Sequence, residues 1–346
     1  MLRLELSDDE IESIRSLIAD VVAEYQTVED IDFLNNACLY AHSLPRRVRA
    51  FLGDFRLKEP EPGFCVISGY PIDLPAIGAT PTHWKWRSDA LASLHEQILF
   101  VLYGSLLGDL IGWATQQDGH VVHDVFPIKG HEGEQLGTGS EQPLWWHTED
   151  AFHPYRADYI GFFCLRNPDR VPTTIGALDV NTLDISHVAT LFQPRFTIRP
   201  DESHQEKNES DLRRATRSGQ DEDFIDAAYQ RIKAMNKNME KVSVLFGSAD
   251  APYLRLDPYF MDPLDDDPEA QQALEALIKR IDANLLDLIL QPGDFCFIDN
   301  YRVVHGRKPF KAKYDGSDRW MKRISMTRDL RKSRQARADC DARMIM

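Results

Sequence analysis

Tyr159-Ile-Gly-Phe-Phe-Cys-Leu165 is a short apolar run closed by Asp158 on one side and by Arg166-Asn-Pro168 on the other, and it reads as a β-strand. Gly119-His-Val-Val122, Gly176-Ala-Leu-Asp-Val180, Tyr253-Leu-Arg-Leu256, Asp294-Phe-Cys-Phe-Ile-Asp299 and Arg323-Ile-Ser-Met-Thr327 repeat the pattern from Gly112 onward. Short strands with this punctuation suggest an antiparallel sandwich or barrel rather than a parallel α/β sheet. No G-x-G-x-x-G or Walker sequence argues for a nucleotide fold, and no internal repeat is present.

Working outward, the N-terminal part is helical in texture. Over residues 7–25, Ile11, Ile14, Leu17, Ile18 and Val21/Val22 recur at helical spacing, with Ser7 and Glu10 in capping-box register. Residues 44–52 predict a second helix, 63–69 a short buried strand between glycines, and 88–110 a longer helix. Residues 268–286 predict another, with Leu274, Leu277, Ile278 and Ile281 on one face. Residues 201–223 are dense in both charges and nearly devoid of large apolar side chains, so they are expected to form an exposed, mobile insertion or a solvated surface helix. The organisation expected is one domain over 1–346: a mainly helical elaboration (1–110), a β core (111–330) carrying the insertion, and a solvated basic tail (331–346).

Hydrophobic residues make up 43% of the chain and charged residues 27%, enough to bury a substantial core. The net charge of −15 disfavours a phosphate-tracking surface and would attract a cationic small molecule, although acidity also serves solubility alone. The five cysteines, Cys38, Cys65, Cys164, Cys296 and Cys340, are scattered without C-x-x-C spacing, which argues against a disulfide framework. With no signal-like start and no run of roughly eighteen apolar residues, the chain is expected to be cytoplasmic, with neither membrane nor nucleic acid as partner.

Chemistry concentrates in two stretches. Trp145-Trp-His-Thr-Glu-Asp150 holds His147 and Glu149 two residues apart, which on a strand puts both side chains on one face. Phe297-Ile-Asp-Asn-Tyr-Arg-Val-Val-His305-Gly306 offers a second histidine after another apolar run. Two imidazoles and a carboxylate form the facial triad that holds ferrous iron with three positions open. His-x-Glu by itself is a weak signal, and a core His147 or a strand-end His305 are the plain alternatives. Arg319, fourteen positions after His305, and Arg323, four beyond, share strand parity, so both could enter a barrel. A buried arginine there would suit the distal carboxylate of 2-oxoglutarate, which chelates iron through its other end.

Gly112-Trp-Ala-Thr-Gln-Gln-Asp-Gly119, Trp146-His-Thr-Glu-Asp-Ala-Phe-His-Pro-Tyr-Arg-Ala-Asp-Tyr159, Pro252-Tyr-Leu-Arg-Leu-Asp-Pro-Tyr-Phe-Met261 and Asp299-Asn-Tyr-Arg-Val-Val-His-Gly-Arg307 resemble the clavaminate synthase-like oxygenases. More narrowly they resemble the branch that hydroxylates free arginine, as in viomycin-type pathways, or free lysine. The resemblance spans about residues 64–328 and implies a mainly β fold, a double-stranded β-helix (jelly roll) with flanking helices. It also implies Fe(II), 2-oxoglutarate and O2 as cofactor and cosubstrates. By the same resemblance His147, Glu149 and His305 hold iron, Arg319 and Thr173 hold 2-oxoglutarate, Gln116 meets the substrate α-amino group, Arg323 its α-carboxylate, and Asp257 its cationic side chain.

Tyr259 departs from the arginine-hydroxylating pattern, which carries a second aspartate there. A guanidinium fork suits two carboxylates, whereas an ammonium is a compact charge that one can satisfy. The expectation is therefore hydroxylation of C3 or C4 of free L-lysine, with Glu149 also near the substrate amine and Tyr259 beside it. The alternatives are an arginine-type hydroxylase with an acid supplied from elsewhere, and a non-catalytic jelly-roll binding protein. The presence of Glu149 argues against halogenation. His153, Tyr155 and Arg156 are expected to support the metal motif, Trp113, Trp145 and Trp146 to be core or pocket wall, and His120, His123 and His131 to lie at the surface.

Overall fold

The computed structural model describes residues 2–85, 92–205 and 219–346. Its centre is a jelly roll of two facing sheets. The larger runs Leu2–Glu5, Phe64–Ser68, Phe295–Asp299, Tyr159–Arg166, Trp320–Thr327, Asp109–Trp113 and Met344–Ile345, with Val122–Val125 also pairing with Trp320–Thr327. The smaller runs Leu286–Leu288, Thr173–Ala177, Val303–Arg307 and Leu144–His147, antiparallel throughout.

The two-residue period of a strand explains how runs that are apolar at every position are buried on both sides. Phe295, Phe297, Phe163 and Leu165 face the helices, where the rings of Phe163 and Phe295 stack with centroids 4.2 Å apart. Their neighbours Cys296, Ile298, Phe162 and Cys164 face the smaller sheet. Each fully buried Phe contributes about 2–3 kcal/mol, so the helical layer is integral to the sheet's stability. The outer face of the smaller sheet, through Trp146 and Val304, packs on Leu274, Leu277 and Ile281 of the helix Pro268–Ala283.

The first helix, Asp8–Glu24, begins at Ser7 with both capping-box hydrogen bonds, as its sequence predicts. The second expected helix runs longer, Arg46–Lys58, and Ile31–Ala41 is a helix that the sequence reading left out. The helix expected over 88–110 is shorter: Leu94–Ser105 is helical, Asp109–Trp113 is a strand, and 86–91 lie outside the described residues.

Two expectations change. Residues 331–346 do not form a solvated tail. A 3-10 segment, Leu330–Ala336, leads to buried Arg337, whose Nη1 donates to the carbonyls of Asp339, Cys340 and Ala342, and Met344–Ile345 then pairs in parallel with Asp109–Trp113. Backbone carbonyls satisfy the cation, an arrangement that charge counting cannot reveal. Of the insertion expected at 201–223, residues 206–218 lie outside the described residues, but Asp201–Gln205 fold inward and His204 is 0% exposed. No helix among the described residues is long and apolar enough to cross a membrane.

Candidate active site

The site lies between the sheets, where Leu144–His147 and Val303–Arg307 run side by side. His147 and His305 are cross-strand partners with ring centroids 4.9 Å apart. The Nδ1–H of His147 donates to the Trp145 carbonyl at 2.7 Å, which turns Nε2 inward. Glu149 arrives differently from the expectation of strand alternation. The strand ends at His147, and Glu149 sits in the turn that follows, locked by Asn300. The Glu149 N–H donates to Asn300 Oδ1 (2.7 Å), while Asn300 Nδ2 donates to the carbonyls of Glu149 (3.1 Å) and Ala157 (2.9 Å).

As a result Glu149 Oε2 lies 3.1 Å from His305 Nε2 and 3.7 Å from His147 Nε2, and the ligand atoms of all three fall within 4.8 Å of one another. Burial favours the neutral acid at Glu149, but the Arg323 guanidinium and hydrogen bonds from His147 and His305 outweigh it and hold the carboxyl well below its usual range. Two neutral-capable imidazoles and an ionised carboxylate converging on one point fit a ferrous ion with open positions on one side.

A cavity opens from this cluster. On one side, buried Arg319 donates through Nη2 to Thr173 Oγ1 at 3.4 Å, and its Nε has no protein partner. Among the described residues no carboxylate pairs with Arg319, so the cavity wall presents a free cation. On the other side, Arg323 donates through Nη2 to Gln116 Oε1 at 2.8 Å, lies 2.9 Å from His123 Nδ1, and contacts Glu149 through Nη1. Gln116 in turn donates to Ser203 Oγ at 2.5 Å. Asp257 borders the cavity, and burial, with Asp201 nearby, pushes its carboxyl up to about 6 against the opposing pull of His147. Tyr259 also lines it but is 51% exposed.

The structure therefore brings together His147, Glu149, His305, Arg319, Thr173, Arg323, Asp257 and Tyr259 around one cavity, with Gln116 held by Arg323, and adds several. His123, expected at the surface, is buried against Arg323. Asp201 and Ser203 line or border the cavity from the stretch expected to be an exposed insertion. His204 is enclosed by Trp113 and Phe152 and lies 2.6 Å from Thr115 Oγ1, 3.0 Å from Gln116 Nε2 and 3.0 Å from Asp150 Oδ1. Trp113 donates to Asp150 at 2.7 Å, which ties this network to the turn that carries Glu149. The only local sequence signal was Asp201 as the cap of a turn, accepting from Ser203 N at 2.8 Å. A charged, weakly apolar stretch otherwise masks the one histidine that is buried.

Comparison with known proteins gives the same class. The model of the taurine catabolism dioxygenase TauD, TfdA family matches residues 190–325. The enduracididine beta-hydroxylase of Streptomyces hygroscopicus is 45% identical and the L-ornithine/L-arginine 3-hydroxylase of Catenulispora acidiphila 44% identical, each over 100% of both chains. The crystal structure of the non-heme iron oxygenase OrfP with Fe, succinate and (3S)-hydroxy-L-Arg superposes with a TM-score of 0.92 at 43% identity, covering 100% of both chains.

These findings overturn the expectation of lysine as substrate, because an L-lysine 3-hydroxylase of Catenulispora acidiphila is only 29% identical over 93% of this chain. The inference from Tyr259 considered only the position two residues from Asp257; Asp201, from a distant segment, also lines the cavity. Clavaminate synthase 2 of Streptomyces clavuligerus is 30% identical over 86% of this chain and 84% of its own. The chain thus belongs to the TauD, TfdA family, as a clavaminate synthase-like oxygenase that uses iron and 2-oxoglutarate to hydroxylate an amino acid.

Proposed function

We propose that the chain hydroxylates C3 of L-arginine or of an arginine-derived amino acid. The observation that carries this reading is that Asp257 and Asp201 line the same cavity, with the Asp201 charge helping burial to raise the Asp257 carboxyl. Two carboxylates suit the breadth and five donors of a guanidinium. The relatives named for enduracididine, ornithine and arginine hydroxylation support the same substrate class.

In this reading His147, Glu149 and His305 hold the iron, and Arg319 with Thr173 receives the distal carboxylate of 2-oxoglutarate. Iron with 2-oxoglutarate and O2 supplies an oxidant able to convert an unactivated C–H into C–OH, with succinate and CO2 released. The protein supplies placement. Arg323 grips the substrate α-carboxylate, Gln116 and Glu149 meet its α-amino group, and Asp257 and Asp201 hold its cationic end. Fixing both ends of a flexible side chain leaves one carbon nearest the metal. The five unpaired cysteines support the cytoplasmic placement.

The test is aerobic incubation with Fe(II), ascorbate, 2-oxoglutarate and an equimolar mixture of L-arginine, L-ornithine and L-lysine, read by mass spectrometry. Gain of one oxygen on arginine or ornithine, with fragment ions placing it at C3, is expected. Oxygen on lysine alone would overturn the substrate reading.

A further inference from the structure

The strand Val303–Arg307 ends in His-Gly-Arg, and its last residue has no part in the account above. Arg307 lies two positions beyond His305 and is the cross-strand partner of Thr173. It is 4% exposed and borders the cavity together with His305, Thr173 and Arg319. Its Nη1 donates to the carbonyls of Ser140 (3.2 Å) and Lys308 (3.3 Å), and its Nη2 to the carbonyl of Gln142 (3.3 Å). The guanidinium carbon sits 5.1 Å from the centroid of Phe310.

These contacts fix the fork but do not neutralise it. Among the described residues no carboxylate pairs with Arg307 or Arg319, and the Nε of each is buried without a partner. Thr173 links the two: Arg319 Nη2 donates to its Oγ1 at 3.4 Å, and Arg307 is its partner on the neighbouring strand. Two like charges on one buried wall are costly unless an anion completes the arrangement.

We infer that Arg307 acts with Arg319 as a second positive anchor for the distal carboxylate of 2-oxoglutarate, making the pocket select a dicarboxylic over a monocarboxylic 2-oxo acid. This rests on the proposed placement of that carboxylate at Arg319. A monocarboxylic acid of equal length, such as 2-oxopentanoate, presents the same chelating end to iron but leaves both cations uncompensated. The selection therefore resides in the far wall and not at the metal.

The full chain loaded with Fe(II) under argon, with no turnover possible, is titrated calorimetrically with 2-oxoglutarate and separately with 2-oxopentanoate. Arg307→Met is expected to weaken 2-oxoglutarate by about tenfold, the loss of one charge-assisted contact, while leaving 2-oxopentanoate unchanged. An equal loss for both acids, or no loss for either, overturns the inference and leaves Arg307 as a clamp on the 140–142 carbonyls. Arg319→Met gives an independent measure that leaves Arg307 intact. Its remaining preference for 2-oxoglutarate over 2-oxopentanoate is expected to stay several-fold, and a ratio of one overturns the inference. Failure of both acids to bind the wild-type iron form would overturn the iron-site reading itself, and this inference with it.

Discussion

His204 Nε2 lies 3.0 Å from Asp150 Oδ1, and both side chains are closed off from solvent. The contact fastens the Asp201–Gln205 segment to the turn that carries Glu149, and in the same place His204 meets Gln116. Asp201 and Ser203 thereby reach the cavity beside the metal-ligand cluster.

Replacing His204 by Phe keeps the aromatic bulk but removes the hydrogen bonds to Thr115 and Asp150 and the polar contact with Gln116. The expected result is a KM for the amino acid raised by about tenfold or more, with affinity for 2-oxoglutarate unchanged. His204→Gln, which keeps part of the bonding, should recover part of the loss. A variant that loses both affinities together would mark His204 as a residue of general folding.

If Asp257 and Asp201 share the cationic end of the substrate, each single change to Asn should raise the amino-acid KM by about tenfold to a hundredfold, the range for losing a charge-assisted hydrogen bond. Turnover of 2-oxoglutarate to succinate should continue without matching product, because the iron site is untouched. Steady-state assays that follow succinate and hydroxylated product in parallel check this. Unchanged coupling and KM in Asp201→Asn would remove the second acid from the substrate site.

Asp257 binds a cation only when ionised, and its carboxyl is pushed up to about 6 by burial. Protonation below that value removes the charge. Substrate affinity is therefore expected to be full well above pH 6 and to fall as pH drops through it. A pH series of amino-acid binding constants, compared between wild type and Asp257→Asn, reads this directly. The fall should be absent in the variant, while groups that titrate elsewhere would leave it in place.

Asn300 is 0% exposed and holds the Glu149 turn through three hydrogen bonds. Asn300→Ala strands one buried N–H and two carbonyls, at a cost of about 2–4 kcal/mol. The melting temperature should fall. The stabilisation that added Fe(II) or Mn(II) gives the wild type, reversible by a chelator, should shrink as well, because Glu149 no longer has a fixed position. A variant with lowered melting temperature but undiminished metal stabilisation would show that the turn holds without Asn300.

The strands and the metal cluster were largely legible from sequence because they depend on local rules. Phe295 and Cys296 announce opposite faces by alternation alone, Ser7 and Glu10 announce a helix start, and a His-x-Glu followed by a distant His-Gly names a ligand set. Asp109 and Leu110, which open a strand, were read as the end of a helix because a short apolar run does not separate the two periods. The substrate end of the cavity was not legible. Asp201, Ser203 and His204 lie in a stretch whose charge suggests solvent, and nothing near them in sequence says that His204 is buried among Trp113, Phe152 and Asp150.

By itself, then, the sequence determined short antiparallel-type strands and a candidate His-x-Glu and His ligand set through periodicity and spacing, while its resemblance to the clavaminate synthase-like oxygenases implied the jelly roll and the iron and 2-oxoglutarate chemistry. Only the tertiary structure decided which acids share the cavity with Asp257, how Glu149 reaches its position through Asn300, and that Arg307 stands beside Arg319. Each of these depends on contacts between segments far apart along the chain, and hydrogen bonding and charge act through space.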